Sequence, residues 1–194
     1  MITTIPNFKE LSGFQVYEQG EKFLSKQIIK HMKEYARQKG CDYLPYSHAE
    51  TLIWDERLQH LFTIGARAEG VEITPVEEYY THGHNLMLME PVRPFDYIDN
   101  RIAMAYARSI DDHKYQKSNF ISWINEIKSF GLIKSYRPGD ITVYCYELDA
   151  RVSRIVERWP QGKEWDINKG ISIYHLRDNP NYKVNGGFLN NTRA

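Results

Sequence analysis

Apolar positions between residues 18 and 39 (Phe23, Leu24, Ile28, Met32, Tyr35, Ala36) recur at helical spacing, and Gly40 stands where a helix should stop. Ser47-His-Ala-Glu50 has the form of a capping box, so the pattern predicts a long helix from there to Gly70, with Leu52, Ile53, Leu58, Leu61, Phe62 and Ile64 inward and a break possible near Trp54–Arg57. Residues 71–80 and 86–89 read as strands joined by His82-Gly83-His84-Asn85, whose Gly and Asn suit a tight turn. After Arg93-Pro94-Phe95-Asp96 a helix fits 97–109, and Ser118 caps another over 119–130. Strand residues Leu132-Ile133, a type II turn at Arg137-Pro138-Gly139-Asp140 and a return strand from Ile141 to Leu148 follow. Asp149 then caps a helix with Val152, Ile155, Val156 and Trp159 inward, and Ile171–Tyr174 reads as a short strand in a polar tail.

The two halves share a plan of helix, capped helix, strand, turn, strand, with Gly70 and Gly131 ending equivalent helices 61 residues apart. The plan divides the chain into an N-terminal helical and hairpin module over 1–92, a second module over 93–160 and a C-terminal extension over 161–194. It makes HGHN and RPGD equivalent hairpin turns.

The stretch SNFISWINEIKSFGLIKSYRPGDITVYCYEL, residues 118–148, resembles the core of a winged-helix domain, with Gly131-Leu132-Ile133 ending the recognition helix, the wing turning at Arg137–Asp140 and Tyr146-Glu147-Leu148 closing it. The resemblance covers residues 96–159 and implies an α+β fold of tandem winged-helix-like modules, the first degenerate and suited to dimerisation or partner contact. It further implies double-stranded DNA binding, as in a transcriptional regulator or a plasmid or phage replication initiator.

Charge supports that implication locally. The chain is neutral, with 25 basic and 25 acidic residues, which counts against a nucleic-acid binder as a whole. Between Arg108 and Arg137, however, six basic residues meet three acidic ones. Ser118, Asn119, Ser122 and Asn125 lie on the side of the recognition helix opposite its apolar face, where short polar groups can meet base edges. Lys114, Lys117, Lys134 and Arg137 would hold phosphates.

Two other classes compete. Neutral charge and 14 tyrosines suit a non-enzymatic protein–protein adaptor. The pair His82 and His84, if on a strand, would point both imidazoles one way and could bind a divalent metal, with Tyr106 or Tyr115 as nucleophile of a nickase. The central glycine favours a turn, so the histidines read as an exposed tip, and neither a catalytic residue nor a cofactor is assigned. His48, His60 and His113 are isolated along the chain. Cys41 and Cys145 lack a metal-like spacing and read as reduced thiols. The opening MITTIPNFKELSGF has no basic region followed by an apolar stretch, so a cytoplasmic, homodimeric DNA-binding protein with no membrane segment is expected.

Overall fold

A computed structural model describes residues 8–20, 23–67, 70–80, 86–110, 114–115, 142–143, 145–169 and 171–185. The fold is α+β. Strands β1 (Gln15–Glu18), β2 (His48–Asp55), β3 (His60–Arg67), β4 (Gly70–Pro75), β5 (Leu86–Pro91) and β8 (Tyr182–Asn185) form one antiparallel sheet in the order β4-β3-β2-β1-β5-β8. A separate parallel pair joins β6 (Lys114–Tyr115) to β7 (Thr142–Val143). The helices are α1 (Phe23–Lys39), α2 (Val76–Tyr80), α3 (Tyr97–Ser109), α4 (Cys145–Ile155) and α5 (Ile173–Arg177).

The capped helix expected over 47–70 is instead the hairpin β2–β3. Ala49, Thr51 and Ile53 face α3 and α4, while Leu52 and Leu61 face a layer made by Phe14, Val16, Val76 and Leu86 with the 3-10 turn Phe8–Leu11. Both faces of β2 are therefore buried, and a strand covered on both sides loses the alternation that distinguishes it from a helix. The reversal falls one step beyond the break anticipated near Trp54–Arg57. Asp55 Oδ1 accepts from the amides of Arg57 at 2.8 Å and Leu58 at 3.2 Å, and Gln59 takes a positive φ of 52°.

Other expectations divide. Helix α1 ends as anticipated before Gly40, which has a φ of 63°. Helix α3 occupies 97–109, with Asp96 and Asp99 forming a reciprocal capping box. The strands flanking HGHN do not form a hairpin: β4 pairs with β3, and β5 pairs with β1 and β8. Residues 76–80 are helical. The return strand expected over 141–148 stops at Val143, and Asp149 lies inside α4 rather than capping it. Ile171–Tyr174 is not a strand, because Ser172 caps α5. The expected tail supplies β8, so the sheet draws on residues 15 to 185.

Helix α4 packs on one face of the sheet. Its Cys145, Tyr146 and Ala150 share a core with Tyr17, Ala49, Met87 and Met89 from the strands, Ile28 and Met32 from α1, and Ile173 and Leu176 from α5. Leu148, Val152 and Val156 join Ile53, Ile64, Ala103 and Ala107 in a second cluster. Each aliphatic side chain so buried contributes about 1.5–3 kcal/mol. This packing fixes α4, and with it Cys145, against the start of β2.

Candidate active site

Cys145 is the first residue of α4, and only 2% of it is exposed. The first amides of a helix have no intrahelical acceptor, and the helix dipole favours negative charge there. Cys145 stands at that end of α4.

Facing it is His48, at the first position of β2, its side chain 18% exposed. Cys145 lies close enough to act on the charge of the His48 ring. Glu50 lies two residues further on, the spacing that puts both side chains on one face of a strand. His48 Nε2 stands 2.9 Å from Glu50 Oε1, so Nδ1 is the ring nitrogen left to exchange a proton with the thiol. Burial opposes charge on the imidazole, but hydrogen bonds and charge from Cys145 and Glu50 outweigh it and hold its pKa well above 6.5. These interactions favour the charged form of the ring, the partner a thiolate needs.

Glu50 is held in turn. It is fully buried, and Oε1 also accepts from Arg67 Nε at 2.9 Å and Nη2 at 2.8 Å. Burial pushes its pKa up, but His48 and Arg67 more than compensate, and the net shift is downward. Gly65 is the cross-strand neighbour of Glu50. A Cβ there would lie 2.6 Å from Oε1 and 2.7 Å from Cδ and Cγ, so only glycine leaves space for this carboxylate.

Two further contacts tie α4 to β2 on either side of the pair. Tyr146, fully buried, donates from its hydroxyl to the carbonyl of Tyr46 at 3.1 Å. One turn on, Asp149 Oδ1 accepts from Thr51 Oγ1 at 2.7 Å. Asp149 is also fully buried, and Oδ2 has no hydrogen-bond partner among the described residues. Burial is the largest cause that raises its pKa from 3.8 to about 8, with Glu50 adding to it and Thr51 and His48 opposing. Two neighbouring carboxyls are thus driven apart, Glu50 ionised and Asp149 protonated at neutral pH.

Of the residues singled out for DNA contact, the structure describes one. Lys114 lies in β6. Lys117, Ser118, Asn119, Ser122, Asn125, Lys134 and Arg137 lie outside the described residues, as do His82 and His84. Reading the chain from sequence passed over Cys145, His48 and Glu50. Ser47-His-Ala-Glu50 imitates a helix cap, whereas Ser47 Oγ in fact accepts from the Gly20 amide at 3.0 Å. The usable signal was a His-x-Glu pair opening an apolar run, in a chain with few cysteines.

Comparison with known proteins follows this geometry. No family model matches the chain, and no curated protein matches it. Among solved structures it is similar to the crystal structure of the metalloprotein yiiX from Escherichia coli O157:H7, DUF1105, with a TM-score of 0.60 and 15% identity over 91% of this chain and 97% of that one. A likeness at that identity shows the fold. Among the described residues no group of three His, Cys, Asp or Glu is placed to hold a metal ion. His48 and Glu50 spend their facing atoms on each other, and Arg67 already supplies the cation at Glu50. No helix among the described residues is long and apolar enough to cross a membrane.

Proposed function

We propose that the protein is a cysteine-nucleophile acyl-transfer enzyme, in its simplest form a hydrolase of an ester, thioester or amide. Cys145 would serve as nucleophile, His48 as acid and base, and Glu50 as the residue orienting His48. The observation that carries this reading is His48 set between Cys145, at the start of α4, and Glu50, whose Oε1 holds the ring at 2.9 Å.

In this reading the Cys145 thiolate adds to a carbonyl carbon, forming a C–S bond while the carbonyl π pair moves to oxygen. The Cys145 amide, in the first turn of α4, would donate to that oxyanion. Collapse expels the leaving group, which takes the proton from His48, and a thioester remains. Neutral His48 then removes a proton from water as the water attacks the thioester. The thiolate departs, and a carboxylic acid is released. Glu50 keeps the imidazole ring in one orientation throughout, as the third member does in other nucleophile–base–acid arrangements.

The test uses the full chain and p-nitrophenyl acetate. Wild-type protein should release p-nitrophenolate and carry the acetyl group on the Cys145 peptide, read by mass spectrometry. Cys145→Ala should abolish both, and His48→Ala should slow release about 100-fold or more. Equal acetylation of Cys41 and Cys145, or no effect of His48→Ala, would refute the reading.

A second reading, the winged-helix one, concerns residues outside this site. The six basic residues against three acidic between Arg108 and Arg137 favour contact with double-stranded DNA. In a gel-shift series, Lys134→Ala/Arg137→Ala should weaken duplex binding and flatten its salt dependence. Unchanged binding and slope would remove those two residues from a DNA surface.

A further inference from the structure

Cys145, Asp149 and Ser153 follow at intervals of four along α4, the spacing that sets side chains above one another on one face of a helix. In a core otherwise apolar, this face meets polar side chains at each step. Cys145 lies beside His48 and acts on its charge. Asp149 accepts from Thr51 at 2.7 Å. Ser153 Oγ receives Gln15 Nε2 at 3.1 Å and lies 3.3 Å from the hydroxyl of Tyr182. Tyr17 closes the row by donating to Gln15 Oε1 at 2.8 Å. Gln15, Tyr17, Thr51, Asp149 and Ser153 are all fully buried.

A buried carboxyl with one unpartnered oxygen is costly. Leucine would fill the same space beside Leu148 and Val152 without that cost. Asp149 is worth its cost only for what it holds. Thr51 sits one residue after Glu50 and three after His48, on the strand that carries both. Asp149 sits one helical turn after Cys145. The 2.7 Å bond between them, with the Tyr146–Tyr46 bond on the other side, fixes the separation of the two elements whose ends carry the reacting pair.

We propose that Asp149 is a positioning residue for the Cys145–His48 pair, its carboxyl acting through Thr51 to set how far β2 lies from the start of α4. The inference rests on the cysteine-nucleophile reading above. The carboxyl acts in its neutral form: the titratable groups whose charge couples to it are His48 and Glu50 from β2, Tyr17 from β1 and Tyr182 from β8, and Glu50 already supplies the negative charge that His48 requires. An ionised Asp149 would compete with Cys145 for the imidazolium.

The experiment measures alkylation of Cys145 by iodoacetamide at pH 6 on the full chain, quantified on the Cys145 peptide so that Cys41 does not contribute. An unassisted thiol is about 300-fold less ionised at pH 6 than a thiolate held in an ion pair, which sets the range available. Asp149→Asn keeps the acceptor for Thr51 and should stay within about threefold of wild type. Asp149→Ala and Thr51→Val remove the bond from opposite sides, and each should slow alkylation tenfold or more. In parallel, the His48 ring resonance followed against pH should show an inflection near pH 8 that Asp149→Asn lacks. Thr51→Val conserves side-chain volume, so it decides the matter if Asp149→Ala does not fold. The proposal is overturned if Thr51→Val reacts like wild type, if Asp149→Asn is as slow as Thr51→Val, or if the inflection survives in Asp149→Asn. Failure of the underlying reading looks different: wild-type Cys145 and the His48→Ala variant would then alkylate at the same slow rate, and both ideas would fall together.

Discussion

Replacing Asp149 by Asn should make the stability of the protein less dependent on pH, with a slope that the structure supplies. The folded chain holds the Asp149 proton up to about pH 8, whereas an unperturbed aspartate releases it at 3.8. Between those values the native state binds one proton more than the unfolded state, so stability falls as pH rises. The loss is about 1.4 kcal/mol per pH unit for one such group. Asp149 is fully buried, so solvent does not screen the effect. Over the two units from pH 5 to pH 7 wild type should therefore lose about 3 kcal/mol relative to Asp149→Asn. That is a large share of the 5–15 kcal/mol that holds a typical domain together. The amide introduced by Asn leaves a buried donor where Oδ2 was, a penalty of about 1–3 kcal/mol. This offset does not vary with pH, and the change in the gap is the quantity to read. Urea denaturation of both chains at half-unit steps from pH 5 to 9 measures it. With a urea dependence of about 2 kcal/mol per molar, the midpoints should separate by more than 1 M between pH 5 and 7. His48, whose raised pKa stabilises the fold at low pH and less as pH climbs through it, is common to both chains and largely cancels. Parallel midpoint curves would refute the account of Asp149 as a protonated acid in the native state.

Two further outcomes test the support around Glu50. Gly65→Ala places a methyl group 2.6 Å from Glu50 Oε1; it should cost about 1–3 kcal/mol in urea unfolding and slow Cys145 alkylation at pH 6, and an unchanged alkylation rate would detach Glu50 from the site. Arg67→Met leaves the buried carboxylate with His48 alone. Since Arg67 is itself about one-third exposed, the expected loss is about 2–3 kcal/mol at pH 7. Because the Glu50 pKa is lowered in the fold, that stabilisation is present above about pH 4.5 and lost as pH falls through the folded value, so the gap between the two chains should close in acid.

How much of this was legible beforehand depended on how many sides of each element meet water. The extent of helix α3 could be read from its helical spacing but not its inward face: the apolar Ile98 and Ile102 meet solvent, while Ala103, Met104 and Ala107 are buried. Strand β2 has no wet face: Ala49, Leu52 and Ile53 are buried on opposite sides, and a chance capping box at Ser47–Glu50 completed the helical disguise. Ile173 and Tyr174 have the composition of a strand, yet the turn of α5 follows from Ser172 and its bond to His175. The site failed to appear for a related reason. Cys145 and His48 come together only because α4 lies across a sheet that the sequence pattern had dissolved into helices and hairpins. Glu50, read as a cap, was assigned its hydrogen bond before its real partners, His48 and Arg67, could be considered.

The order of elements along the chain has a consequence for biosynthesis. His48 and Glu50 are made early and Cys145 ninety-seven residues after His48, since 145 − 48 = 97. Strand β1 pairs on one side with β2 and on the other with β5, so most of the sheet can form before α4 leaves the ribosome. Closing so long a loop is slow relative to local pairing. Through all of that interval the thiol has neither its imidazolium nor its helix end, and it is an ordinary cysteine. On the reading proposed above, Cys145 gains its partner only when α4 packs on β2, with α5 and β8 still to be added.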